Sequence, residues 1–226
     1  MSPFTDAISW RNKTASKQAI LDYMKTLNQV GLTAVYDLGR VSDGNLEPVE
    51  QLAAEQTLPL RVFSSLRYDA QDTDSALAAI AMIESGDTRP LSNTLQSGVI
   101  GMGEHIYTPV SDNPRLSTSW PEDKWQPFSD ISWAAAKYKW PVHEHVMSRV
   151  TAIQYLELIE AISEEIPSVK DLRWTFAHVN GMTEEEITRA AELGVALAVH
   201  SQARMSISVM NKLNWDHCSV GHTMGD

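Results

Sequence analysis

A recurring alternation of helical-period stretches and short apolar runs constrains this chain more than any other feature. From Lys17 to Gln29 the residues Ile20, Leu21, Met24 and Leu27, with Val30 just beyond, fall on one helical face, and Gly31 follows as a stop. LTAVYDLG (Leu32 to Gly39) then reads as a buried strand. Val49 to Glu55 reads as a short helix before Pro59, Leu60 to Ser65 as a second strand, and Asp74 to Ser85 as an Ala- and Ile-rich helix. SGVIGMGE (Ser97 to Glu104) is a glycine-rich third strand. Asp130 to Lys139 reads as a helix, and WPVHEHV as the strand leaving it. Thr151 to Glu164 carries the helical stripe Ile153, Leu156, Ile159, Ile162, and LRWTFAH (Leu172 to His178) is a fifth strand. Thr183 with Glu186 fits a capping box, in which each side chain satisfies an orphan backbone N–H at a helix start. That helix runs to Leu193 and stops at Gly194, and VALAVH (Val195 to His200) is a sixth strand. Strands that alternate with helices and are apolar on both faces imply an α/β chain with a parallel sheet covered by helices. With no composition break between the units, residues 1–226 read as a single domain.

Composition removes several classes of function. A net charge of −11 with 18 scattered basic residues is the wrong electrostatics for nucleic acid, because phosphate contacts need clustered Lys and Arg. No apolar stretch approaches the roughly 18–20 residues that span a bilayer. The opening MSPFTDAISWRNKTASK has no apolar core of a secretory signal. Cys218 is the only cysteine, so no intrachain disulfide can form, which fits a reducing, cytoplasmic setting. The segment His105 to Ser129, with Pro109, Pro114, Pro121, Trp120 and Trp125, is long for a connection in a compact domain. It suits either a lid over a pocket or a surface excursion packed on its own tryptophans.

Polar residues recur at the C-terminal ends of the strands: Asp37, Glu104, His143 and His145, His178, and His200. In a parallel α/β barrel the active site is built at this rim, so such side chains converge. His143 and His145, two apart, face the same side of one strand. Histidine with Asp or Glu is the ligand set of a borderline divalent metal such as Zn²⁺. A lone strand-end histidine is usually a hydrogen-bonded structural residue; four of seven histidines on three successive strand ends favour a metal or catalytic role. Asp37 has the alternative of capping a turn. Glu144 should point away from its neighbours and pair with a helix lysine or arginine. GMGE lacks the further glycine and lysine of a phosphate loop, no serine sits in a G-x-S-x-G elbow, and His217, Cys218 and His222 read as loop residues.

WPVHEHVMSRVTAIQYLELIEAI and LRWTFAHVNGMTEEEITRAAELGVALAVHSQ together resemble the amidohydrolase superfamily, within it the amidohydrolase 3 or YtcJ-like metal-dependent hydrolases. GLTAVYDLG and GMGE resemble that family's upstream strands, so the similarity covers most of Lys17 to Met205. The resemblance implies a TIM-barrel-like (β/α)8 fold, incomplete at about six βα units. It implies Glu104, His145 and His178 as metal ligands, with His143 as the alternative for the first histidine, and His200 and Arg204 as substrate contacts. It implies metal-assisted hydrolysis of an amide or other non-peptide C–N bond in a small molecule, with a divalent metal, expected to be zinc, as cofactor.

The family's H-x-H motif, its bridging lysine and its strand-eight aspartate have no counterparts here, which fits a truncated product, a domain excerpt or a degenerate paralogue. A catalytically inactive fragment or scaffold that homo-oligomerises through open strand edges is therefore a second reading. A metal-free isomerase or lyase using His145 and His178 as acid and base is a third. The tail Ser206 to Asp226 is apolar enough either to seal a sheet edge or to reach a neighbouring copy.

Overall fold

The computed structural model describes residues 13–41, 47–86, 95–113, 115–179 and 181–199. His200, Arg204, His217, Cys218 and His222 lie outside them, as does the tail from Ser206. Its strands are hydrogen-bonded in chain order, β1-β2-β3-β4-β5-β6, and every pairing with a determined register is parallel. The chain divides into two compact units, residues 1–66 with 89–100, and residues 67–88 with 101–226.

In the first unit, α1 (Lys13–Gln29), β1 (Ala34–Val41), α2 (Glu47–Ala54) and β2 (Arg61–Leu66) gather around Met24, Val49, Leu60 and Val62. Ile20 and Leu27 pack against that cluster, as their helical spacing requires. Val30, expected on the same face, is 76% exposed, because the helix has already ended at Gln29. β1 lies beside β2 with Val35 opposite Val62 and Asp37 opposite Ser64. Asp37 therefore sits inside a strand that continues to Val41, and its side chain is exposed.

The second unit carries the larger core. Here α3 (Thr73–Ser85) precedes the end of β3 (Ser97–Glu104), followed by α4 (Glu122–Lys137), β4 (Val142–Val146), α5 (Arg149–Glu165), β5 (Thr175–His178), α6 (Glu184–Glu192) and β6 (Ala196–Val199). Helix limits are set by local chemistry. Asp72 caps α3 reciprocally with Ser75, and Gly86 ends it at φ 68°. Thr183 and Glu186 form the expected capping box on α6. β4 and the middle of β5 are buried on both faces, as strands of a parallel sheet covered on both sides are. One of those faces is filled by Phe128, Ile131, Tyr155, Leu156, Ile159 and Phe176.

The segment 105–129 differs from expectation. Its last eight residues are the start of α4, which opens at Glu122, eight residues before the expected Asp130. Pro127 lies inside this helix at the loss of one intrahelical hydrogen bond. Burial of Trp125, Phe128 and Ile131 holds the turn helical despite it, and the Trp125 ring stacks obliquely on Phe128 and Tyr155 at 4.8 and 5.1 Å. Only residues 105–121 connect β3 to α4, and they include a short 3₁₀ turn, Thr108–Val110.

Candidate metal centre

Three side chains from three successive strands of the second unit meet on one carboxylate oxygen. The Glu104 Oε1 atom accepts from His145 Nδ1 at 3.0 Å and from His178 Nε2 at 2.7 Å. The two imidazoles lie edge to face with centroids 4.6 Å apart. Strand register explains the meeting: β4 and β5 pair with His145 opposite Ala177 and Val146 opposite His178, so both histidines reach the same strand end. Glu104, at the end of β3, pairs one strand over. All three are partly buried, with side chains 12–23% exposed.

His178 and Val179 both hold left-handed backbone, at φ 74° and 50°. Non-glycine residues seldom do so, and a β-branched valine least of all. The chain holds this strain where the β5 histidine turns to its carboxylate.

The electrostatics agree with the geometry. The His145 hydrogen bond draws the Glu104 carboxyl down to about 2 against the opposing effect of burial, and His178 adds to the fall. Burial alone would lower His145, but Glu104 and Asp112 outweigh it and raise its pKa. His143, beside them on β4 and 2% exposed, is pushed down to about 4 by desolvation. It stays a neutral imidazole near Glu104 and His178.

Two residues that sequence reasoning passed over complete the cluster. Asp112, whose side chain is fully buried, accepts from the backbone N–H groups of Met147 and Ser148 at 2.9 and 2.6 Å. Its carbonyl oxygen accepts from His145 Nε2 at 3.2 Å. A connecting-segment residue thus orients the β4 histidine and fastens the turn into α5, where Ser148 caps the helix through Thr151. His105 places its ring 4.8 Å from that of His145. A carboxylate 33 residues upstream of its histidine leaves no local pattern in the sequence.

Glu144 points away from its neighbours, as strand alternation demands, but among the described residues it meets no lysine or arginine. It is 3% exposed and lines a small cavity with Ser132, Tyr155, Trp174 and Phe176. Its carboxyl accepts a long backbone contact from Ile106 N, at 3.4 Å, and a further one from the backbone of His145. Burial drives its pKa well above the ordinary carboxylate value, which favours the protonated form.

The donors suit a metal. Two imidazole nitrogens converge on a carboxylate, and one of the histidines has its other ring nitrogen held by a backbone carbonyl and flanked by a carboxylate, as metal-ligating histidines usually do. Glu104, His105 and His145 can each offer an atom within 4.8 Å of the others.

Comparison with known proteins supplies a frame for this geometry. The model of the amidohydrolase family matches residues 3–217. No curated protein matches. Among solved structures, an uncharacterized metal-dependent hydrolase from Pyrococcus furiosus is similar over 91% of this chain, with a TM-score of 0.58 at 13% identity. One from Pyrococcus horikoshii OT3 is similar over 85%, with a TM-score of 0.55 at 13% identity. The chain spans 42% and 38% of those two proteins. The likeness shows the (β/α) barrel fold, of which six βα strands are seen among the described residues.

Proposed function

This chain belongs to the amidohydrolase family, and from that premise we propose that it serves a metal-dependent hydrolase cleaving a non-peptide C–N bond, of the amide type, in a small molecule. The observation that carries the reading is the convergence of His145 and His178 on Glu104 at 3.0 and 2.7 Å. When bound, a divalent cation supplies Lewis-acid activation of water and of the scissile carbonyl. Glu104, His145 and His178 would hold it, and Glu104, ionised at any ordinary pH, brings the negative charge a cation needs.

Asp112 fixes the orientation of the His145 ring through its backbone carbonyl, with its carboxylate beside the same nitrogen. His143, neutral and desolvated on the same strand as His145, keeps a further imidazole beside the centre without adding positive charge. His200 and Arg204 are assigned to the substrate. The aspartate expected to accept the proton of the attacking water is not among the described residues. Zinc suits a donor set of two imidazoles and one carboxylate. A cytoplasmic location and self-association belong to the same reading, supported by the single cysteine and by Val199, 75% exposed on β6. No described helix is long and apolar enough to cross a membrane.

Elemental analysis of the purified full chain tests the proposal. About one divalent metal per chain is expected, with metal uptake reduced in Glu104→Gln. A metal-free protein that takes up no zinc, cobalt or manganese would refute the reading. Unchanged metal content in the variant would remove Glu104 from the ligand set.

A further inference from the structure

Adjacent residues in a strand point to opposite faces, so a carboxylate and the residue after it do not ordinarily share a site. β3 ends at Glu104, and His105 is released from that alternation. Its ring lies beside the His145 ring, tilted by 44°. Among the described residues, its Nδ1 is buried and makes no hydrogen bond. An imidazole nitrogen shut away from water with nothing to bond is a costly arrangement unless some ligand engages it. Donor atoms of Glu104, His105 and His145 all lie within 4.8 Å of one another. The set is two imidazoles and a carboxylate, the chemistry of a borderline divalent cation.

We propose that His105 is a metal ligand of this chain, closing a Glu104–His105–His145 set that shares two members with the Glu104–His145–His178 set. The inference rests on the reading of the site as a metal centre. It goes further by assigning a donor from the connecting segment, outside the strand-end positions, so that the segment takes part in holding the cation and does not merely pass over it. The ligand class is a divalent ion that accepts nitrogen donors, such as Zn²⁺ or Co²⁺, and not the all-oxygen shell of Ca²⁺ or Mg²⁺.

The test is titration of the metal-free full chain with Co²⁺, following visible absorption and bound cobalt per chain, for wild type, His105→Ala and His105→Gln. Far-UV circular dichroism is recorded alongside to establish that each variant is folded. His105→Ala is expected to weaken Co²⁺ binding at least about 10-fold, since loss of even a supporting partner of a ligand acts on that scale. Its d–d absorption should change in shape, with His105→Gln intermediate. A folded His105→Ala with wild-type affinity and an unchanged spectrum overturns the assignment and leaves the metal centre standing. Wild type that binds no Co²⁺ overturns both, and so separates the two failures. Should the variants not fold, hydrogen–deuterium exchange at the imidazole C2 positions of wild type decides the matter by mass spectrometry. Zn²⁺ should slow exchange at His105, and an unaltered rate there overturns the proposal.

Discussion

Gly103 allows β3 and β4 to approach closely beside the carboxylate, and Gly103→Ala measures how much depends on that approach. A Cβ built at Gly103 would stand 1.9 Å from the His143 carbonyl oxygen, 2.8 Å from its carbon and 3.0 Å from its Cβ. Two of those atoms are backbone in a paired strand, so no flexible side chain can swing aside. The residue also holds φ +147°, a conformation that L side chains rarely adopt. Overpacking a tight interior costs about 1–3 kcal/mol. A forced unusual backbone adds about 1–3 kcal/mol, which together gives about 4 kcal/mol. In a chain of this size each kcal/mol moves Tm by about 2–4 °C, so the loss should be about 8–16 °C. Gly101→Ala is the internal comparison: its Cβ would meet the Pro141 carbonyl oxygen at 2.7 Å, with no positive φ to add to the overlap. Its cost should be about 1–3 kcal/mol. Thermal and urea unfolding of the metal-free proteins, read by fluorescence of the seven tryptophans, supplies both numbers. A Gly103→Ala protein within about 0.5 kcal/mol of wild type, the scatter of ordinary surface changes, would refute the reasoning. So would Gly101→Ala proving the more damaging.

Glu104 and Glu144 should respond to pH in opposite directions. Glu104 has its carboxyl lowered in the fold, so its contribution is present above about 4.5 and is lost as pH falls towards about 2. The difference corresponds to about 3 kcal/mol, trimmed to about 1–2 kcal/mol by solvent at a 12% exposed side chain; urea midpoints of wild type and Glu104→Gln between pH 3 and 6 should converge at the acid end. The neighbouring Glu144 has its pKa raised, so the folded protein keeps a proton that the unfolded chain releases, and stability falls as pH rises above about 4.5. Glu144→Gln should therefore gain on wild type between pH 5 and 8, and identical slopes in the two proteins would refute the buried neutral acid. Thr183→Ala removes one half of the α6 capping box and should cost about 1 kcal/mol in the same unfolding assay; no change would mean the cap is dispensable.

Most of the strand framework was legible because a doubly buried parallel strand has few disguises. VHEHV and the LRWTFAH run each lie between helical stripes, and their strands appear at Val142–Val146 and Thr175–His178. The Thr183–Glu186 box was legible because it is local, three residues apart. The start of α4 was not: His105 to Ser129, with Pro109, Pro114 and Pro121, read as one long connection, and only the burial of Trp125 and Phe128 makes Pro127 tolerable inside the helix. At the site, Glu104, His145 and His178 could be read as strand-end polar residues. Their meeting on one oxygen depends on register between strands 41 and 74 residues apart in sequence. Asp112 and His105 could not be read at all, since each acts only after the connecting segment has folded back. Glu144 shows the same limit: alternation says which way it points, and tertiary packing decides that it lines a cavity with Tyr155 and Trp174.

Asp112 links events that would otherwise be separate. One residue accepts from the first amides of the turn into α5, holds a ring nitrogen of His145, and belongs to the segment leaving β3. Eight residues on, Trp120 exchanges two hydrogen bonds with Gln154 of α5, through its N–H at 2.8 Å and its carbonyl at 3.0 Å. The segment is thus tied twice to a single helix and its entry turn. Thermodynamic linkage makes such a tie reciprocal: whatever free energy an occupant of the site gains from an ordered His145, the ordered segment gains equally from the occupant. Order in residues 105–121 would then report on occupancy of the proposed centre, which the segment meets through His105 and Asp112. Conversely, a substitution that loosens the segment far from Glu104 would weaken the hold of the proposed site on a cation, by at most the factor of that coupling.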